Sequence, residues 1–225
     1  MVSRIAKIIR ILLSGLVSIF YSSSDKCILC DNYCDEYLCN SCKSQINIIG
    51  IKKLINKGEE GYISYSLGFY SYGIKKLILK FKFQKCFEAG EILARYLTDF
   101  IINNLMDKID IITFIPSSRS SMKRRGFNQC RVLCEYIYKF CKIPFEETLK
   151  KSHDVEDQIG LSDIKRWKNI EGSFFSVNEK LIIGRRILII DDVITTGATA
   201  FCAASTLKKS GAKDVYILTV AKSRV

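Results

Sequence analysis

Asp191 and Asp192 stand side by side directly after four apolar residues, Ile187 to Ile190, and shortly before Thr195-Thr196-Gly197-Ala198-Thr199. The apolar run reads as a buried strand of a parallel sheet, ending where the two carboxylates begin. Ala200, Ala203, Ala204 and Leu207 recur at helical spacing, so a helix starts in the threonine-rich turn. Backbone N–H groups at a helix N-terminus lack intrahelical partners and carry partial positive charge. Threonine hydroxyls add donors, and Gly197 admits a close backbone approach. The turn is therefore a phosphate cradle, at the strand end where open α/β sheets bind ligands. Two carboxylates would repel a bare phosphate. They make sense beside a ligand that also carries vicinal hydroxyls or a divalent metal, and a sugar 5′-phosphate satisfies both halves.

A second cluster lies near the start of the chain. Cys27, Cys30, Cys39 and Cys42 form two C-x-x-C pairs eight residues apart. Two such pairs supply four thiolates to one tetrahedral zinc ion, and a closed four-thiolate shell leaves no position for substrate. The expected role is structural. Cys34 is a surplus thiol that could stand in for Cys39. A redox C-x-x-C would need only one pair and a thioredoxin-like sheet. The other five cysteines, Cys86, Cys130, Cys134, Cys141 and Cys202, are scattered through apolar or helical surroundings and read as buried free thiols. This distribution argues against a secreted disulfide framework and for a reducing, cytoplasmic compartment.

A third cluster is basic. Arg119, Lys123, Arg124 and Arg125 share a loop with four serines, directly after an apolar run closed by Pro116. Such a loop could hold a second anionic group, such as a pyrophosphate, by charge-assisted bonds. The formal net charge of +12 over 225 residues points the same way, to phosphorylated small molecules or nucleic acid. Lys75, Lys76, Lys80, Lys82 and Lys85 form a further band that reads as a solvated helix face.

The elements that must position these groups alternate between strand and helix. Strands are expected at Leu67 to Tyr72, Asp110 to Ile115, Ile187 to Ile190 and Val215 to Val220, with a short one at Pro144 to Leu149. Helical stripes run through Ile74, Leu77, Ile78 and Phe81, through Ile92, Leu93, Tyr96, Leu97, Phe100 and Ile101, and through Val132, Leu133, Tyr136, Ile137 and Phe140. This order predicts an α/β, doubly wound parallel sheet. The Lys-rich stretch from Gly50 to Gly61 is read as a linker, dividing residues 1–50, a helix plus zinc-binding module, from residues 51–225. Within residues 1–21, Ile5, Ile8, Ile9, Leu12, Leu16 and Ile19 recur at helical spacing. They suggest an amphipathic helix that packs on the protein, a partner or a membrane surface, and the basic start also imitates a signal peptide. The polar stretch Lys150 to Glu171 reads as a long functional loop. It holds the single histidine, His153, and the single tryptophan, Trp167.

The D-D plus T-T-G-A-T stretch resembles the phosphoribosyl-pyrophosphate (PRPP) signature of the type I phosphoribosyltransferases. With the zinc pairs, R-R-G-F-N-Q at 124–129, and Tyr72-Gly73, Lys82-Phe83, Gln158, Gly160-Leu161, Arg166, Asn169 and Phe174 in the same order, the whole chain resembles the ComF family. The resemblance implies a phosphoribosyltransferase-like domain behind an N-terminal zinc module. It implies that Asp191 and Asp192 contact the ribose hydroxyls and that Thr195, Thr196, Gly197, Ala198 and Thr199 hold the 5′-phosphate. Arg119, Arg124 and Arg125, with Mg²⁺, would serve the pyrophosphate. It also implies a link to DNA uptake in natural competence, with competence or recombination proteins as partners.

The chain departs from the family pattern at Lys151, His153 and Val155, where arginines and a threonine are usual. Two functions follow. One is a Mg²⁺- and PRPP-dependent transferase with structural zinc. The other is a degenerate transferase fold that binds nucleotides or single-stranded DNA. The D-D and T-T-G-A-T pattern favours the first; the charge and the departures favour the second.

Overall fold

The computed structural model describes residues 25–152 and 172–224. The chain divides into two compact units between Gln45 and Ile46. The amphipathic stretch 1–21 lies outside the described residues, as do His153, Val155, Gln158, Gly160, Leu161, Arg166, Trp167 and Asn169.

In the first unit, Cys27 to Asn32 closes a tight turn. The Cys27 N–H donates to the Asn32 carbonyl at 2.7 Å and the Asp31 N–H to the Cys27 carbonyl at 2.9 Å. Asp31 takes the left-handed conformation that this turn needs, with φ 60°. The short helix α1 (Asn40–Ser44) has Cys39 at its N-cap, and the Lys43 N–H donates to the Cys39 carbonyl. Cys39 and Cys42, three residues apart, thus share one helix face.

The second unit is built on a five-stranded sheet in the order β1-β2-β7-β6-β3. Its strands are β1 (Ile51–Lys57), β2 (Glu60–Phe69), β3 (Ile111–Phe114), β6 (Arg186–Ile194) and β7 (Asp214–Lys222). Among the described residues, the β1–β2 pair is the one antiparallel pair within this sheet. Two short strands, β4 (Leu149–Lys151) and β5 (Phe174–Ser176), pair separately. The expected parallel α/β sheet is thus present, with one antiparallel edge.

The stretch read as a linker is a hairpin. Residues 51–57 and 60–69 pair in register from Ile51↔Ser66 to Lys57↔Glu60, leaving Gly58 and Glu59 as a two-residue turn. Gly58 has φ 62°, while Glu59 is not among the positive-φ residues. That combination belongs to the type II′ turn, whose twist suits a hairpin. The strand expected to begin at Leu67 therefore starts earlier, at Glu60.

Helices α2 (Tyr72–Gln84), α3 (Phe87–Asn104) and α5 (Gln129–Cys141) follow the predicted stripes, and α3 packs on both α2 and α5. Helix α6 (Ala198–Lys209) presents Ala200, Ala203, Ala204 and Leu207 to Ile187, Ile189 and Ile217 of the sheet. Small residues on α6 let the helix approach the strands closely. Of the five outlying thiols, Cys130 and Cys134 are buried, while Cys86, Cys141 and Cys202 are half-covered.

The outer edge of β3 is covered by the chain at Pro144 to Glu146. Ile112 donates to the Pro144 carbonyl at 2.9 Å and accepts from the Glu146 N–H at 3.0 Å. The strand expected across Pro144 to Leu149 reduces to an isolated bridge at Phe145, with β4 beginning only at Leu149. The basic loop is also more ordered than expected. Arg119–Arg125 forms a seven-residue helix, α4, capped by the Ser118 hydroxyl, which accepts from the Ser121 N–H. It stops at Gly126, φ 82°.

Candidate functional site

Strand β6 does not end at the acids. It continues through Asp191 and Asp192 to Ile194, which pairs with Lys222 of β7. On its other side, β3 stops: the last pair is Phe114↔Ile190, followed by one bond from the Ile115 N–H to the Ile190 carbonyl at 3.1 Å. Pro116 cannot donate a ladder bond, which ends that strand. The acid pair therefore stands one step beyond the end of its neighbour, at the floor of a crevice that β3 no longer fills.

This crevice is a cleft of about 190 Å³, lined by Lys82, Ser118, Ser121, Arg125, Asp191 and Asp192 among others. Lys82 Nζ lies 2.6 Å from Asp192 Oδ2, and both side chains are about one-sixth exposed, at 15% and 16%. The lysine band was read as solvated, and Lys82 departs from that reading. Gln129 Nε2 and Cys130 Sγ approach Asp192 Oδ2 and Asp191 Oδ1, each at 3.5 Å. The Asp192 N–H donates to Asp191 Oδ1 at 2.8 Å.

The electrostatics follow from this crowding. Burial, and then the adjacent Asp192 charge, push the Asp191 carboxyl up to about 7. Burial works against the Lys82 ammonium, yet the Asp192 carboxylate outweighs it and holds Lys82 above its ordinary value. Burial pushes the Cys130 thiol well up, and the two acids add to this. Cys130 thus stays a neutral donor.

Of the sequence-predicted basic residues, Arg125 lines the cleft, and its buried Nε has no hydrogen-bond partner. Arg119 and Arg124 are exposed on α4 and do not line it. The Thr195 to Thr199 turn leads into α6, with Gly197 as N-cap at φ 91° and no side-chain cap bond. The Ala198 N–H reaches only the Thr196 hydroxyl, at 3.4 Å. Gly197 is required twice over: its φ is unfavourable for other residues, and a Cβ there would lie 2.8 Å from Ile55 Cγ2. Lys82 and Gln129 belonged to the family pattern and Cys130 to the buried thiols, but the sequence alone set none of them beside the acids. A lysine at helical spacing looks solvated unless its acid partner, distant in sequence, is known. Lys151, one of the departures from the family pattern, also lines the cleft.

The thiols of Cys27, Cys30, Cys39 and Cys42 lie within 4.8 Å of one another. Four cysteines so placed can bind a metal such as zinc. Cys34 is not in that group; its thiol donates to the Glu36 carbonyl at 2.8 Å. Burial opposes ionisation of Cys27, but backbone N–H groups of Cys39, Leu29 and Cys30 win and lower it to about 6. Burial and the neighbouring thiols push Cys42 up.

The sheet, the acid pair on β6 just past the end of β3 and the glycine turn into α6 make up a phosphoribosyltransferase-like fold. Curated relatives bear out the resemblance to the ComF proteins. The chain is 29% identical to Competence protein F of Haemophilus influenzae over 163 residues, 70% of this chain and 71% of that one. It is 28% identical to DNA utilization protein YhgH of Escherichia coli K12 over 153 residues, covering 66% of each. It is 26% identical to Competence protein ComFC of Streptococcus pneumoniae over 208 residues, covering 84% and 89%. No family model matches. Similar solved structures include an adenine phosphoribosyltransferase (APRTase) from Giardia lamblia, 15% identical, TM-score 0.42, covering 78% of this chain and 94% of that one. Another is glutamine PRPP amidotransferase from B. subtilis, 20% identical with TM-score 0.39; the overlap is 58% of this chain and only 26% of that one.

Proposed function

We propose that the cleft binds PRPP or a related phosphorylated sugar. Asp191 and Asp192 take the ribose hydroxyls, and the Thr195 to Thr199 turn takes the 5′-phosphate. The observation that carries this reading is the order along one stretch of chain: acceptors on β6 where β3 has stopped, then the sparsely capped N-terminus of a twelve-residue helix. Arg125 adds a cation whose Nε has no protein partner, suited to the pyrophosphate. In a transfer reaction, negative charge would gather on that departing group. The four-cysteine cluster is proposed to hold a structural zinc ion, in a module of residues 1–50 joined to a transferase-like domain of residues 51–225.

Mg²⁺ fits here through the ligand's oxygens. It needs near-octahedral oxygen coordination, and Asp192 Oδ2 already faces the Lys82 ammonium. Calorimetric titration with PRPP, with and without Mg²⁺, tests the reading, and an acceptor screen follows. Saturable binding lost on Thr199→Val and Asp191→Asn supports it; no binding in either buffer rejects it.

A second reading rests on α2. Lys76 lies 4.3 Å over the ring of exposed Tyr72, and Arg125 lies 5.6 Å over that of exposed Phe83. Cations interleaved with exposed rings suit a single-stranded nucleic acid. Binding of oligothymidylate should then fall steeply with salt. The competence-linked names of the relatives make DNA uptake the proposed setting, with competence or recombination proteins as partners.

A further inference from the structure

We infer that Lys82 is the resident cation of the acid pair. Its ammonium takes the place beside Asp192 that a divalent metal would otherwise fill, so the carboxylates work without a bound metal.

Three observations converge. The Lys82–Asp192 pair is short, at 2.6 Å, and both partners are largely withdrawn from water. A buried ion pair is held only where geometry and further hydrogen bonds repay its desolvation, and Gln129 flanks the same carboxylate oxygen. The remaining neighbours suit a hard cation poorly: Asp191 Oδ1 faces the Asp192 N–H and the Cys130 thiol, and a protonated thiol is a poor ligand for Mg²⁺. Lys82 comes from α2, an element otherwise remote from the β6 acids in sequence, and its long side chain spans that gap into the cleft.

The consequence is specific. Three potential donors, Cys130, Asp191 and Asp192, lie within 4.8 Å of one another. They resemble a metal site only if Lys82 is ignored. With Lys82 in place, the pair carries one fewer net charge and presents acceptors to hydroxyl donors. A sugar ligand then meets an acid pair already partly neutralised by the protein.

The test uses the full chain with its zinc module loaded and Mn²⁺ alone as probe, read by paramagnetic resonance of the free ion. Wild type should show no saturable Mn²⁺ binding that Asp192→Asn abolishes. Lys82→Met, which keeps the stem and removes the charge, should gain such binding, and adding Asp192→Asn to it should remove the gain. Lys82→Arg should behave as wild type. Saturable wild-type binding that depends on Asp192 overturns the inference, and so does a folded Lys82→Met that gains none. If Lys82→Met fails to fold, Lys82→Gln takes its place in the same assay. The ligand arm rests on the PRPP reading: in buffer with no added divalent metal, ribose 5-phosphate should bind zinc-loaded wild type within about twofold of its affinity in Mg²⁺, with Lys82→Met weaker by about tenfold. Absence of any sugar binding rejects the PRPP reading, while the Mn²⁺ result decides the role of Lys82 by itself.

Discussion

Asp110 and Arg186 clasp the start of β6. Arg186 Nη2 donates to Asp110 Oδ1 at 2.6 Å, and the Arg186 backbone N–H donates to Asp110 Oδ2 at 2.8 Å. These bonds hold the Asp110 carboxyl down at about 2. A carboxylate with a depressed folded value adds stability above its unfolded value, and that stability is lost as pH falls through the folded one. Acid unfolding of wild type should therefore gain a component between about pH 4 and pH 2. Asp110→Asn should lack it, as circular dichroism across that range would show; identical acid limbs would contradict this.

Asp191 and Asp192 should answer differently to the same substitution. Asp192→Asn strands Lys82 in a largely buried position, and breaking such a pair costs on the order of 3 kcal/mol. The ion pair with Lys82 gives Asp192 a part in stability that Asp191 lacks. Asp191 has a raised folded value, near 7. Its burial costs stability increasingly as pH rises from its unfolded value towards 7, and fully above it. Asp191→Asn should thus be more stable than wild type above pH 7, with the gain vanishing below about pH 4. Thermal melts against pH measure both effects.

Asp191→Asn is accordingly the cleaner probe of ligand binding. It removes an acceptor without orphaning Lys82. The double Asn variant should bind PRPP at least about tenfold more weakly than wild type. Unchanged affinity would move the site elsewhere.

Zinc removal should act locally. Metal-site binding energy is folding energy in so small a unit. Chelation should release four reactive thiols and erase the protection of residues 25–45, read by hydrogen exchange. Cys34→Ser should keep its zinc, since Cys34 stands outside the cluster, whereas Cys39→Ser should lose it.

Gly197→Ala should cost about 1–3 kcal/mol, from the positive φ and the approach of Ile55. Gly58→Ala has a similar φ sign but no neighbour within 4 Å. It should cost less, and urea titration of the two variants compares them directly.

The sequence was most legible where burial is complete. The run from Ile187 to Ile190 is 0% exposed throughout, so an uninterrupted apolar strand had to be there. Helices α3 and α5 are buried on one face, and their stripes showed it. Strand β1 was misread because of its place at the edge. Only Ile55 is buried along it, so it lacks alternation, and its lysines look like a linker. The signal that would have found it was Gly58-Glu59 between two β-rich runs. That Asp191, Asp192 and Arg125 should stand around one cleft was legible from type and order. Lys82 was not, because its meaning depends on a partner 110 positions away that only the fold brings near.

The covering of β3 by Pro144 to Glu146 has a consequence for association between molecules. A bare strand edge is a template on which another chain can polymerise. Here one end of the five-stranded sheet is already closed, by the chain's own bridge at Phe145. The other end, β1, carries Lys52, Lys53 and Lys57, which would confront their own kind in an approaching copy. Fibril growth by strand addition is thus blocked sterically at one flank and by like charge at the other. High salt, which screens only the second barrier, is where such growth should first become possible.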